Sequence, residues 1–199
     1  MIEAATSLIS EHGYHATSVN DICRRAGVAK TALYWHFDSK EGLLAAVIES
    51  LGGRWIEELQ KRAYLRALPH ERLEELVAGW REILEEQPQL VRLPVFLQLE
   101  SQGASEEIRE ALRTLFQRSE AAIQQGLEDS LGRDALTDPR AAAYVVMSLL
   151  EAVDARVGLA RDAAERDALY AELMRGIVHV IWSQLDEETR ARIDELRPA

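Results

Sequence analysis

Apolar residues in the first fifty positions recur at short helical spacings, broken by single glycines. Val19, Ile22, Cys23 and Ala26 fall on one narrow face, so the pattern predicts a short helix with one buried side. Ser18-Val19-Asn20-Asp21 supplies its start. The Ser18 hydroxyl can accept the Asp21 amide while the Asp21 carboxylate reaches back, a capping box, with Thr17 as an alternative cap. Gly27 stands where a helix ends on a left-handed residue. Val28, Ala32, Leu33 and Phe37 then form a second apolar face, which leaves Ala29, Lys30, Thr31, Tyr34 and Trp35 pointing outward. Asp38 or Ser39 can cap a third helix, and Asp38 with Glu41 would make a second box.

Beyond residue 50 the pattern stays helical. Leu43, Leu44, Val47, Ile48, Leu51, Trp55 and Leu59 form one stripe, predicting a helix over 39–65 with Gly52-Gly53 as a place to bend. Leu73, Leu76, Val77, Trp80 and Leu84 mark the next helix, up to Pro88. A short apolar helix follows over 89–101, kinked at Pro94. Residues 105–131 bury Ile108, Leu112, Leu115, Phe116, Ile123 and Leu127. Pro139 starts another helix, and its 141–150 stretch carries no charge. Residues 169–185 carry two apolar stripes. Helices apolar on more than one side need partners on more than one side, so these last two predict a subunit core and a dimer interface at once, as a four-helix bundle across a two-fold axis. The charged tail 186–199 reads as a short solvated helix or a partly disordered end. The expectation is an all-α chain of about nine helices.

Composition narrows this little. With 47% hydrophobic and 29% charged residues the chain is of globular type. It has no apolar run of the ~18 residues needed to span a membrane. It opens without the basic and apolar segments of a signal peptide, and its single cysteine suits a reducing compartment; both point to the cytoplasm. The net charge of −11 argues against a nucleic-acid partner at first sight. Residues 12–40, however, hold four basic side chains (Arg24, Arg25, Lys30, Lys40) against two acidic (Asp21, Asp38), a local balance of +2. An acidic body with a localised basic surface implies weak non-specific binding and a site-specific protein.

The chemistry available at that surface suits duplex DNA. Two short helices around a glycine, the second with an outward polar and aromatic face, are what a helix-turn-helix needs. The Tyr34 hydroxyl and the His36 imidazole can each donate to a phosphate oxygen. The N-terminus of the third helix offers free amides and partial positive charge, to which Lys40 adds a full one. The residues Ala4-Ala5, Gly13-Tyr14, Ala16-Thr17-Ser18, Ile22, Ala26-Gly27-Val28, Leu33-Tyr34-Trp35-His36-Phe37, Ser39-Lys40 and Leu43-Leu44 together resemble the DNA-binding domain of the tetracycline-repressor (TetR) family of bacterial transcription regulators. The similarity covers roughly the first 50 residues. It implies a three-helix helix-turn-helix domain at 1–46 and a helical ligand-binding and dimerisation domain at 47–199. It also implies that Thr17 or Ser18, Tyr34, His36 and Lys40 touch phosphates, and that Asn20, Lys30, Thr31 and Trp35 lie nearest the bases of a palindromic duplex bound by a homodimer. Family members often carry a basic segment before the first helix; this chain opens at Met1-Ile2-Glu3, so no minor-groove contact is carried over.

Catalysis is the least supported class. The five histidines are scattered, and no phosphate loop, nucleophile elbow or metal-ligand spacing is present, so neither cofactor nor metal is expected. Two regulators remain: one released from DNA by a small molecule, and one without small-molecule input. For the first, Trp80, Phe96, Phe116, Tyr144 and Met147 are apolar candidates to line a cavity, with Glu100, Glu151 and Asp154 as polar ones. Two acids entering such a cavity would favour a cationic or amine-bearing ligand.

Overall fold

The computed structural model describes residues 1–63, 69–100 and 105–196, without the side chains of 62–63, 69–77, 100, 153–155 and 192–196. Ten helices lie among the described residues: α1 (Ile2–His12), α2 (Val19–Ala26), α3 (Lys30–Phe37), α4 (Lys40–Ala63), α5 (Pro69–Glu86), α6 (Gln89–Glu100), α7 (Glu106–Leu131), α8 (Pro139–Val157), α9 (Ala163–Gln184) and α10 (Glu187–Leu196). The described residues are all-α, with ten helices against about nine expected, and the charged tail forms α10, in which Thr189 is buried. Leu73, Leu76 and Val77 of the α5 stripe lie outside the described side chains.

The chain divides into two compact units, Met1–Arg54 with Gln89–Gln117, and Trp55–Pro88 with Arg118–Ala199. In the first, Ala5, Leu8 and Ile9 of α1, Ile22 and Cys23 of α2, Leu33 of α3, and Leu43, Leu44, Val47, Ile48 and Leu51 of α4 are buried. Those of α2, α3 and α4 are apolar positions of the sequence pattern, and each burial contributes ~1.5–3 kcal/mol for a large aliphatic side chain. α6 and the front of α7 belong to the same unit. Leu115 of α7 lies 3.4 Å from where a β-carbon on Gly52 would stand, whereas nothing approaches Gly53 within 4 Å. Helix α4 runs through both glycines as one 24-residue element. Gly52 therefore serves the close approach of α7 and does not end the helix. α6 likewise continues through Pro94.

In the second unit, α9 packs along α8 and also meets α5. Its core includes Trp80, Ile83, Ile123, Leu127, Val146, Leu150, Tyr170, Leu173, Ile177 and Ile181. An isolated antiparallel bridge between Leu136 and Leu185, with Thr137 N donating to Gln184 O at 2.8 Å, ties the segment before α8 to the end of α9.

Candidate nucleic-acid interface

The first helix-turn-helix element is built by local chemistry. Ser18 caps α2 in extended conformation: its hydroxyl accepts the Asp21 amide at 3.1 Å, and its own amide donates to the Asp21 carboxylate at 3.3 Å. Such caps typically contribute ~1 kcal/mol. The Asp21 carboxyl is held below its ordinary range, first by the Ser18 hydroxyl. Gly27 closes the helix at φ 67° and ψ 30°, the left-handed conformation that glycine adopts at little cost. Thr17 is not the cap. Its hydroxyl donates to Gly13 O at 2.8 Å and to Leu8 O at 3.3 Å, and the residue is 2% exposed. Thr17 is thus enclosed with its donor used internally, whereas Ser18 is exposed, its hydroxyl donating to the Asp21 carboxylate at 2.5 Å.

Helix α3 follows with Leu33 as its buried residue. Asn20 on α2 and Lys30, Thr31, Tyr34, Trp35 and His36 on α3 are exposed, Trp35 at 79% and Tyr34 at 44%. The Lys30 ammonium lies 5.8 Å from the Tyr34 ring centroid, one helical turn away. His36 meets Trp35 edge-on, with centroids 4.6 Å apart. α2 and α3 pack against each other.

The turn into α4 differs from the sequence expectation. Ser39 caps α4, its hydroxyl accepting the Gly42 amide at 2.9 Å. Asp38 ends α3 at φ 57°, and the expected Asp38–Glu41 box gives way to a contact between Glu41 and Tyr14. A β-carbon on Gly42 would collide with the Phe37 carbonyl oxygen and stand 3.4 Å from Glu107 Oε1 of α7. Lys40 is partly buried. Its ammonium donates to Tyr14 O at 2.8 Å and lies 4.1 Å from the Tyr14 ring centroid. Burial pulls the Lys40 ammonium below its usual pKa, opposed by the Glu41 charge. Burial, with Glu41 beside it, pushes the Tyr14 hydroxyl up to about 12, so it stays a donor to Glu41 at 3.3 Å. Tyr14, Glu41 and Gly42 carry no helix-periodic signal, and the pattern of apolar positions did not single them out.

Two of the other cations near this surface are neutralised by carboxylates. Arg24 pairs with Asp21 at 2.5 Å. Arg25 grips both Glu11 oxygens, at 2.7 and 3.1 Å, and also donates to Ser7. The Arg25 hydrogen bond, followed by that from Ser7, holds the Glu11 carboxyl down to about 2. This pair ties α1 to α2.

The residues expected to line a cavity fall in both units. Phe96 and Phe116 belong to the first, Trp80, Tyr144, Met147 and Glu151 to the second. Trp80 and Met147 are buried, and Phe116 is partly buried. Phe96 is turned to solvent because Leu93 and Leu97 hold the inner face of α6. Tyr144 is 59% exposed, since Ala143, Val146, Met147 and Leu150 form the inner stripe of α8. Glu151 is half-buried, and its carboxyl is raised, first by burial and then by the Glu120 charge. The side chains of Glu100 and Asp154 lie outside the described residues. Ile177, on an α9 stripe expected to serve a partner as well as the core, is fully buried. No helix among the described residues is long and apolar enough to cross a membrane.

A capped helix, a left-handed glycine, an outward polar and aromatic helix and a third helix anchored on the loop before the first define a helix-turn-helix domain. Residues 1–47 match the family model for bacterial regulatory proteins of the tetR family. Residues 1–47 are thus a DNA-binding domain of the TetR type. The fatty acid metabolism regulator protein of Bacillus subtilis (strain 168) is 28% identical over 115 residues, 58% of this chain and 58% of the relative. The transcriptional regulator AcrR of Shigella flexneri is 30% identical over 131 residues, 64% of this chain and 61% of the relative. The chain thus spans roughly three fifths of the length of these curated relatives. Both relatives are regulators. The solved structure of the fatty acid degradation regulator FadR from Bacillus halodurans has the same fold, with a TM-score of 0.69 at 22% identity, covering 88% of this chain and 95% of that one.

Proposed function

We propose that this protein is a homodimeric transcriptional repressor that binds a palindromic duplex and is released from it by a small molecule. The exposed outer face of α3 carries the reading: Lys30, Thr31, Tyr34 and Trp35 stand free of the core on a helix whose buried residue is Leu33. A lysine can pair with guanine O6 and N7 in the major groove, and an apolar ring can meet a thymine methyl. Ser18, Tyr34, His36 and Lys40 take the phosphates in this reading, Asn20, Lys30, Thr31 and Trp35 the base edges. Two such helices in a dimer meet half-sites centred about one helical turn, ~34–36 Å, apart or a small multiple of it. The exposed Tyr144 and Val145 on the uncharged stretch of α8 support a dimer contact there. A DNA-bound role places the protein in the cytoplasm.

Buried polar atoms support a ligand in the body. Among the described residues, Trp80 Nε1 and Ser119 Oγ are enclosed without a hydrogen-bond partner, and such groups cost ~1–3 kcal/mol unless something completes them. The paired negative charges of Glu120 and half-buried Glu151 favour a cationic ligand. The ligand must prefer a state whose recognition helices do not fit the DNA, and a coupling of ~1–3 kcal/mol would change operator affinity about 5–150-fold.

The test is selection of duplexes from a random pool by the full-length protein, then titration of the winning duplex with and without organic cations. Enrichment of an inverted repeat, and weakening of its binding by a cation that also raises the melting temperature, is the expected result. Selection that enriches no sequence would overturn the DNA-reading assignment. Melting shifts without any change in DNA affinity would favour a regulator without small-molecule input.

A further inference from the structure

The first turn of α4 presents two charged side chains, and both are committed to one residue of the loop between α1 and α2. Lys40 donates to the Tyr14 carbonyl at 2.8 Å and sits 4.1 Å over the Tyr14 ring. Glu41 accepts the Tyr14 hydroxyl at 3.3 Å. Tyr14 is partly buried, with the exposed His15 ring edge-on to it at 5.3 Å. An ammonium has three N–H donors. One is on the carbonyl, and the ring occupies a face of the cation without consuming a donor, since the attraction is to the ring quadrupole. The remaining donors are left with a fixed direction. A lysine normally carries a large rotamer freedom that must be lost when it grips a phosphate; here that ordering precedes DNA.

We propose that Tyr14 is a positioning residue for operator binding: its ring and carbonyl hold the Lys40 ammonium oriented for a phosphate, and Glu41 holds the ring. Tyr14 itself need not touch DNA. The inference rests on the proposed function through the phosphate role of Lys40.

The experiment uses the full-length protein and the duplex it selects from a random pool. Lys40→Met, Tyr14→Phe and pentafluorophenylalanine in place of Tyr14 are compared by DNA affinity across a salt series. Fluorination reverses the ring quadrupole at nearly constant shape, so it tests electrostatic positioning apart from packing. Lys40→Met should weaken binding and reduce the salt slope by about one unit. Tyr14→Phe, which keeps ring and carbonyl but gives up the Glu41 contact, should weaken binding only about 2-fold and is the reference for the fluorinated ring. The fluorinated ring should weaken binding about 3- to 10-fold, and in a Lys40→Met background it should change nothing further. Equal losses from the fluorinated ring with and without Lys40 would show a merely structural role and overturn the inference. So would no loss from the fluorinated ring beyond that of Tyr14→Phe in the otherwise wild-type protein. If Lys40→Met leaves affinity and slope untouched, the phosphate assignment and this inference fall together, while DNA binding by the wild-type protein stands on its own result. Melting curves of each variant separate these outcomes from loss of fold.

Discussion

The outer face of α3 and the outer face of α8 each leave aromatic rings in solvent, and their neighbours make them different surfaces. On α3, Tyr34 and Trp35 stand among Lys30, Thr31 and His36, so every ring has a donor beside it. On α8, Tyr144 stands beside Val145 within a stretch, 141–150, that has no charge. An aromatic patch laced with donors suits a hydrogen-bonding polyanion; one set among small apolar residues suits another apolar surface. Exposure alone says that a ring has a use. The residues around it say what kind.

The strongest way to break that comparison is to invert the buried and exposed faces of the second unit. Ile177→Glu places an uncompensated charge in the core and should destabilise the fold by roughly 3–5 kcal/mol, read from a urea titration. Tyr144→Glu should leave that titration within ~0.5 kcal/mol of wild type at matched association state. It should raise the dimer dissociation constant about 10- to 100-fold, read by sedimentation, the loss typical of an aromatic anchor. A Tyr144→Glu protein as dimeric as wild type would remove α8 as the contact. On α3, Lys30→Ala should cost ~1–3 kcal/mol of discrimination at one base pair, seen as a changed preference in competition against single-base variants of the duplex. A uniform loss across all variants would move Lys30 from bases to phosphates. Tyr34→Phe should cost less, about 2- to 10-fold for every duplex alike, because it removes one hydrogen bond to the backbone.

The smallest effect concerns the Glu11–Arg25 pair under the helix-turn-helix. Glu11 is held at about 2 from an ordinary 4.5, so its folded value lies below its unfolded one. Its contribution is therefore present above about 4.5 and is lost as pH falls toward 2. The site is exposed, so the effect is modest. The melting temperature of Glu11→Gln should fall slightly below wild type at neutral pH, and the gap should close in acid. A gap that widens on acidification would contradict the pairing.

The parts of the domain legible in the sequence are those fixed within a few residues. The Ser18–Asp21 box, the Gly27 terminus and the outward set on α3 all follow from spacing along one helix. The parts that were not legible depend on residues far apart in the chain. Lys40 and Glu41 meet Tyr14 across a separation of 26 and 27 positions, and no periodicity announces that. Thr17 and Ser18 carry the same hydroxyl chemistry, and only the inward rotation of Thr17 toward Leu8 and Gly13 separates them. In the body, Tyr144, Met147 and Glu151 fall within a few turns of one helix. The inner stripe of α8 includes Met147, half-covers Glu151 and leaves Tyr144 outside. A shift of one residue in where that stripe runs decides whether a tyrosine faces the core or solvent.

Gly42 gives the domain a position where tolerance to substitution and contact with DNA part company. Any β-carbon there meets the Phe37 carbonyl, and a backbone oxygen cannot step aside as the end of a flexible side chain can. A saturation scan scored only by transcriptional output would therefore mark position 42 as intolerant as the most demanding positions of α3, although the glycine has no side chain with which to read a base. Scoring the same library for folded yield would pull the two apart, since losses at Gly42 should follow folded yield and losses at Lys30 should not. The same caution extends to engineering: the outer face of α3 can be varied on this scaffold only while Leu33 and the glycine in the first turn of α4 are kept.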